Sequence, residues 1–230
     1  VAPPAAPTID AALDTTNEVV ELTIGVPSGA ATLYVERLDA DDVATPVRGA
    51  YGVPTTPGTV EVVDYEAPLD EPVTYRASVE NAGGERSTTA SDGPVEITAA
   101  PDADPWLVDL VEPANTQRVV VEQLAELNVA VPAGVHYIIG RRAPIVTTDI
   151  AKAPAFELIF VTLDLAARDR ARGALGTGYP VLLRTPSEQG VGSLYLAVIS
   201  YVEQRPSRLA LHEPRRFIVQ GQQVDAPEVA

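Results

Sequence analysis

Two histidines, a cluster of aspartates and one Gly-Thr-Gly stretch are the places in this 230-residue chain where residue type and spacing could support chemistry. His136 and His212 stand in unrelated contexts, with no Cys and no second His at ligand spacing, so they point to structural or exposed roles. Asp39, Asp41 and Asp42 offer the oxygen ligands calcium takes, but the further spaced ligand, the turn glycine and the distant Glu of a helix-loop-helix site are missing. Asp102 and Asp104 offer a second, thinner cation motif. Gly176-Thr177-Gly178 lacks the rest of a dinucleotide or phosphate loop and reads as the stop of a helix. There is no Gly-x-Ser-x-Gly elbow. Carboxylates are numerous enough that some pair falls at glycosidase distance by chance. With no Cys, thiol nucleophiles, disulfides and zinc ribbons are excluded together. The expectation is a non-enzymatic protein with no catalytic, metal or cofactor-binding residues.

Rings and charges narrow the binding roles. Aromatics number 3 Phe, 8 Tyr and 1 Trp, and a sugar platform needs several of them exposed. Tyr75, Tyr195 and Tyr201 fall within strand-like segments, and Trp106 follows a Pro- and Asp-rich joint, where it is expected to pin a domain interface. Residues 1–100 hold 4 Arg against 17 acids, net -13, and residues 101–230 hold 12 Arg plus Lys against 15 acids, net -3. So acidic a first half repels nucleic acid and anionic membranes, and its ordinary meaning is a solvated surface. Arg141, Arg142, Arg184, Arg205, Arg208, Arg215 and Arg216 gather in the second half. They either balance charge there or, as planar donors, meet acidic surfaces of neighbouring subunits.

The elements that must position these residues are mainly strands. The chain is 46% hydrophobic with 21 Pro and 16 Gly, and turn clusters recur about every ten positions, which suits two β domains. No apolar run approaches the ~18 residues of a membrane-spanning helix, so a soluble protein without membrane insertion is expected. Residues 1–7 lack the basic and apolar parts of a secretory signal and read as an extended N-terminal tail. Residues 8–98 read as an antiparallel sandwich. Val20, Leu22, Ile24 and Val26 alternate against Glu21, Thr23 and Gly25, as do Val73, Tyr75, Ala77 and Val79 against Thr74, Arg76, Ser78 and Glu80. Further strands are expected at 31–38, 59–63 and 95–98.

Residues 99–105, with two prolines, form a linker. Residues 106–230 read as a second β domain, a sandwich or barrel, with strands at 117–124, 127–131, 135–139, 145–148, 156–162, 181–184, 194–202 and 216–224; the first of these could also be drawn as helix over 117–127. One helix is expected over 164–175, with Asp164 at its N-cap, Gly176 past its end and Ala167, Ala171 and Ala174 on one side. Phe156–Thr162 and Leu194–Val202 are apolar at odd and even positions alike, so both faces of each strand should be covered. One short helix covers only part of that surface, and a second sheet or neighbouring subunits must cover the rest.

Two stretches carry resemblances. Ala67-Pro68-Leu69, Pro72 through Asn81, Gly83-Gly84 and Ser87 resemble the sixth strand and following turn of fibronectin type III or Ig-like domains, with Leu22 where such domains usually carry Trp. Gly140 to Val146, Tyr179 to Pro186 and Tyr195 to Val198 leading to Arg205 resemble the second domain of minor tail proteins of long-tailed actinobacteriophages. By fold analogy that domain is also similar to the ring-forming domains of distal tail and tail-tube proteins. The resemblance implies a structural component of the virion tail tip, made in the host cytoplasm, that forms a ring or collar at the distal end of the tail tube. It implies homo-oligomer contacts and contacts with tail tube, tape measure and neighbouring minor tail proteins, with the acidic Ig-like domain presented outward. The alternative is a host cell-wall glycan-binding module of a tail or surface protein.

Overall fold

The computed structural model describes residues 2–124, 133–136, 145–148, 154–205 and 213–228, with residues 124, 133–136 and 145–148 described as backbone only. The chain is mainly β with one α-helix among the described residues. It divides into unit 1, Val1–Ala103 with Arg184–Ser193 and Pro227–Ala230, and unit 2, Asp104–Leu183 with Leu194–Ala226.

Unit 1 is a seven-stranded antiparallel sandwich of β1 (Thr8–Asp14), β2 (Val19–Val26), β3 (Thr32–Leu38), β4 (Ala44–Pro54), β5 (Gly58–Asp64), β6 (Pro72–Glu80) and β7 (Ala90–Glu96). One sheet has the order β1-β2-β5 and the other β4-β3-β6-β7. The alternation read in the sequence sets the core. Val20, Leu22 and Ile24 of β2 are buried while Glu21 and Thr23 are exposed, and Val73, Tyr75, Ala77 and Val79 of β6 are buried likewise. The residues left outside carry most of the acidic charge.

Two strands of this unit were not among those expected. β1 pairs with β2 along its whole length, but its Thr, Ala and Asp content gives little apolar signal. β4 contains Pro46, Gly49 and Gly52, both glycines at positive φ, and its pairing with β3 shifts register twice. Such residues interrupt a regular strand pattern because Pro removes a donor and a positive φ favours Gly. The last strand ends at Glu96, earlier than the expected 95–98 segment.

Unit 2 contains β8 (Trp106–Asp109), β9 (Gln117–Arg118), β10 (Val120–Leu124), β11 (Ala133–His136), β12 (Ile145–Thr148), β13 (Ala155–Thr162), α1 (Leu165–Gly176), β14 (Val181–Arg184), β15 (Ser193–Gln204) and β16 (Arg215–Val224), except that Arg184 at the end of β14 and Ser193 at the start of β15 belong to unit 1. Its main sheet has the order β10-β13-β16-β15-β14-β8-β9, and β11 and β12 form a separate antiparallel pair. The expected strand at 117–124 is broken at Val119, which is buried and whose N–H donates to the Pro105 carbonyl at 2.9 Å. That break has a topological consequence. β9 and β10 lie at opposite ends of the strand order yet are one residue apart in sequence, so the sheet curls until its edges nearly meet, as in a barrel. The expected strand at 127–131 and most of that at 135–139 lie outside the described residues.

The helix begins as its sequence dictates. Asp164 is extended, and its Oδ1 accepts from the Ala167 N–H at 2.6 Å, satisfying one of the free donors of the first turn. Ala171, Ala174 and Leu175 are its buried residues. Gly176 is the last helical residue and not the one past the end; Thr177 follows as C-cap. Gln117 ties the helix down, donating from Nε2 to the Ala167 carbonyl at 2.8 Å while its Oε1 accepts from Arg170. The inner face of the sheet carries Phe160 and Phe217, in register and stacked at 5.1 Å. Phe156 lies opposite Gly221, where a Cβ would stand 2.5 Å from the Phe156 ring and 2.4 Å from the Ala197 carbonyl oxygen.

Candidate functional site

Of the residues singled out for chemistry, Asp39 and the Gly-Thr-Gly stretch serve local structure. Asp39 Oδ1 accepts from the N–H groups of Asp41 and Val43, both at 2.9 Å, and the Asp39 carbonyl accepts from Asp42 at 3.1 Å. The cluster is thus a turn closed by one carboxylate, with Asp42 at φ 60. Asp102 and Asp104 are both exposed. Among the described residues no group of three or more His, Cys, Asp or Glu is placed to hold a metal ion, and no helix is long and apolar enough to cross a membrane. In the Gly-Thr-Gly stretch, Thr177 Oγ1 donates to the Ala174 carbonyl at 3.1 Å and Gly178 takes a positive φ, so the stretch ends the helix. His136 is described as backbone only, and His212, Arg141, Arg142 and Arg208 lie outside the described residues.

Three of the seven arginines follow the charge-balance alternative. Arg184, Arg215 and Arg216 are engaged inside the chain. Arg215 pairs with Glu203, and Arg216 donates from Nε to Glu122 at 2.6 Å. Glu203 also receives Arg172 of the helix. Arg205 is exposed. Trp106 is buried, with the Arg118 guanidinium 5.2 Å from its ring centre.

Arg184 belongs to a charged cluster at one end of unit 1 that the sequence did not reveal. Asp64, the last residue of β5, lies opposite Val20 of β2 in one sheet, Arg37 of β3 lies opposite Tyr75 of β6 in the other, and the Asp64–Arg37 ion pair joins the two sheets. Asp64 Oδ2 accepts from Arg37 Nη1 at 2.6 Å and from the Tyr75 hydroxyl at 3.0 Å, while its Oδ1 accepts from the Glu66 N–H at 2.9 Å. Arg184 is fully buried; its Nη2 donates to the Glu18 carbonyl at 3.0 Å and its Nε has no partner. Burial pushes the Arg184 pKa down to about 10 against the opposing pull of Asp64 and Glu18. Burial, reinforced by the Asp64 charge, pushes the Tyr75 phenol well up. Both shifts have the same root, the cost of placing charge away from water.

A second cluster lies on the four-stranded sheet. The Arg86 guanidinium sits 4.0 Å from the Tyr34 ring centre, Tyr51 meets Tyr34 edge-on at 5.3 Å, and the Tyr34 hydroxyl donates to Glu80 at 3.3 Å. These rings are partnered within the protein.

The third arrangement is apolar. Alternate residues of β13, β15 and β16 face away from the stacked phenylalanines, and on that outer face Ile159, Ile218 and Val202 form a row across three strands. Ile159 is 6% exposed, but Val202 is 55% exposed. On the same strand, at the register shift between Val198 and Ser200, Ile199 is 73% exposed. Of the two strands expected to be covered on both faces, β13 is covered within the chain, whereas the second half of β15 is not. Leu194 and Leu196 are buried, and the strand opens to water from Ile199 to Val202. No protein-family model matches the chain, and no curated protein matches it in sequence.

Proposed function

We propose that this chain is a non-enzymatic structural component of a phage tail tip, whose unit 2 packs against copies of itself in a ring or collar at the distal end of the tail tube, in the virion. The observation that carries the reading is the open half of β15, where Ile199 and Val202 stand in water on a strand whose first half is buried. Exposed apolar side chains interspersed with polar residues such as Ser200, Gln204 and Gln220 are what a subunit contact buries. The acidic outer surface of unit 1 suits a module presented outward, since like charge discourages unwanted contacts. Neighbouring tail-tube, tape-measure and minor tail proteins complete the set of partners.

The test has two readouts. Mass spectrometry of purified particles should find the protein, and its absence from the virion rejects the tail assignment. Light scattering should give the wild-type chain, alone or with other tail parts, a multimeric mass, and the double variant Ile199→Glu, Val202→Glu a monomeric one with unchanged folding. A wild-type chain that stays monomeric under both conditions rejects the ring.

A further inference from the structure

We infer that the end of unit 1 lined by Glu18, Arg37, Asp64 and Tyr75 is a socket for a single guanidinium group, filled by Arg184, and that residues 184–193 are an obligatory part of the unit 1 fold. The groups around Arg184 are also bonded to one another. Arg37, the Tyr75 hydroxyl and the Glu66 N–H already occupy both oxygens of Asp64, and all of these residues precede position 104. Arg184 arrives from more than a hundred residues further along the chain. It is held by the Glu18 carbonyl and by the field of Asp64 and Glu18.

The rest of the segment is seated on the same unit. Asp70 Oδ2 accepts from the Ser187 N–H at 3.0 Å and from its hydroxyl at 3.2 Å, Gln189 Nε2 donates to the Ala103 carbonyl at 3.0 Å, and Thr185 Oγ1 closes the segment on the Gly192 carbonyl at 2.7 Å. Thr185 and Pro186 are buried with Arg184, whereas Ser187 to Gly190 are exposed. A buried anchor and a polar tip define a strap whose side chain is recognised by charge and fit, because the guest makes no bidentate pair with a carboxylate. This inference is independent of the tail assignment.

The experiment is hydrogen exchange on the full chain with Arg184→Ala, with and without added ethylguanidinium. Amides of β2, β5 and β6 should exchange about tenfold faster or more in the variant while those of β13 and β16 keep their wild-type rates. Ethylguanidinium should restore most of the lost protection, and ethylammonium at the same concentration should not, since it lacks the planar fork. Unchanged exchange in unit 1 overturns the inference, as does protection that ethylguanidinium fails to restore or that ethylammonium restores equally. Should the alanine variant not fold, Arg184→Gln is read for the same amides. Wild-type protection with that uncharged side chain overturns the need for a guanidinium, and faster exchange confined to unit 1 supports it.

Discussion

The two units solve the same problem, covering a β-sheet, in opposite ways. In unit 1 the strands are apolar on one side only, so two sheets closing on each other bury Val20, Leu22, Ile24, Tyr75 and Val79 and leave polar residues outside. Its internal conflict is electrostatic, with Asp64, Arg37 and Arg184 gathered out of water at one end. In unit 2, β13 and β15 carry apolar residues on both sides. Curling the sheet buries Phe160 and Phe217 on the inner face, but the outer face is only partly covered and Val202 remains in solvent. A sandwich of one-sided strands is complete as a single copy, whereas two-sided strands demand something more than one short helix. The contrast locates where each unit is fragile, at a charge cluster in one and at packing and an open face in the other.

Breaking the charge cluster has the largest expected effect. Asp64→Ala removes an ion-pair partner of Arg37, the acceptor for Tyr75 and the strongest opposite-charge influence on Arg184 in one step, leaving the buried cations with much less compensation. The expected loss is about 3–5 kcal/mol, because the desolvation cost remains when the attraction is gone. Denaturant unfolding followed by exchange at unit 1 amides measures it. A loss below about 1 kcal/mol, the size of a surface ion pair, would mean that this end of the sandwich is wetter than its burial implies.

The matching perturbation in unit 2 is steric. Gly221→Ala places a methyl group 2.4 Å from the Ala197 carbonyl oxygen and against the Phe156 ring, between two paired strands that have no freedom to part. Overpacking of this kind costs about 1–3 kcal/mol. The loss should appear in β13 and β16 and spare unit 1. Equal losses in both units would show that the two cores do not respond separately, which would undo the contrast drawn above.

How much of this was legible in the sequence depended on how local the physics is. Alternation in β2 and β6, the Asp164 cap and the alanine side of the helix are short-range patterns, and each reappears in the structure. β4 was hidden because Pro46, Gly49 and Gly52 look like turn residues when their strand partner is not visible. The break at Val119 was hidden because a β-branched triplet favours strand throughout, and only the sheet's closure requires the corner. Arg184 was the hardest to place. Val181-Leu182-Leu183 is a buried run ended by a charge, and the groups that accept that charge, Glu18 and Asp64, lie more than a hundred residues earlier. A charged residue closing an apolar run was the one available signal, and it does not say where the partner is. The open half of β15 was legible as apolar excess, although which half stays uncovered depends on pairing across three strands.

The smallest expected effect concerns acid. Burial would raise the Asp70 pKa, but the N–H groups of Ser187 and Ala99 and the Ser187 hydroxyl outweigh it and hold the carboxyl below its ordinary value. A group whose pKa is lower folded than unfolded contributes stability above its unfolded value, about 3.9 for Asp, and loses that contribution as pH falls through the folded one. Asp14, at the β1–β2 turn, follows the same sign because the Asn17 side chain and the Asn17 and Thr16 N–H groups favour its charged form. Both residues belong to unit 1. On acidification from pH 5, protection at the amides of Ala99 and Ser187 and in the β1–β2 turn should therefore outlast the ordinary carboxylate range and fall as pH drops through the lowered folded values. In Asp70→Asn the first two amides should be fast already at pH 5 and show little further change, because an uncharged amide is a poorer acceptor for three donors. If the wild-type amides of Ala99 and Ser187 instead keep their protection through the whole acid range, the carboxylate is not what holds the strap tip, and the seating of residues 187–193 rests on Gln189 and the buried Thr185-Pro186 pair.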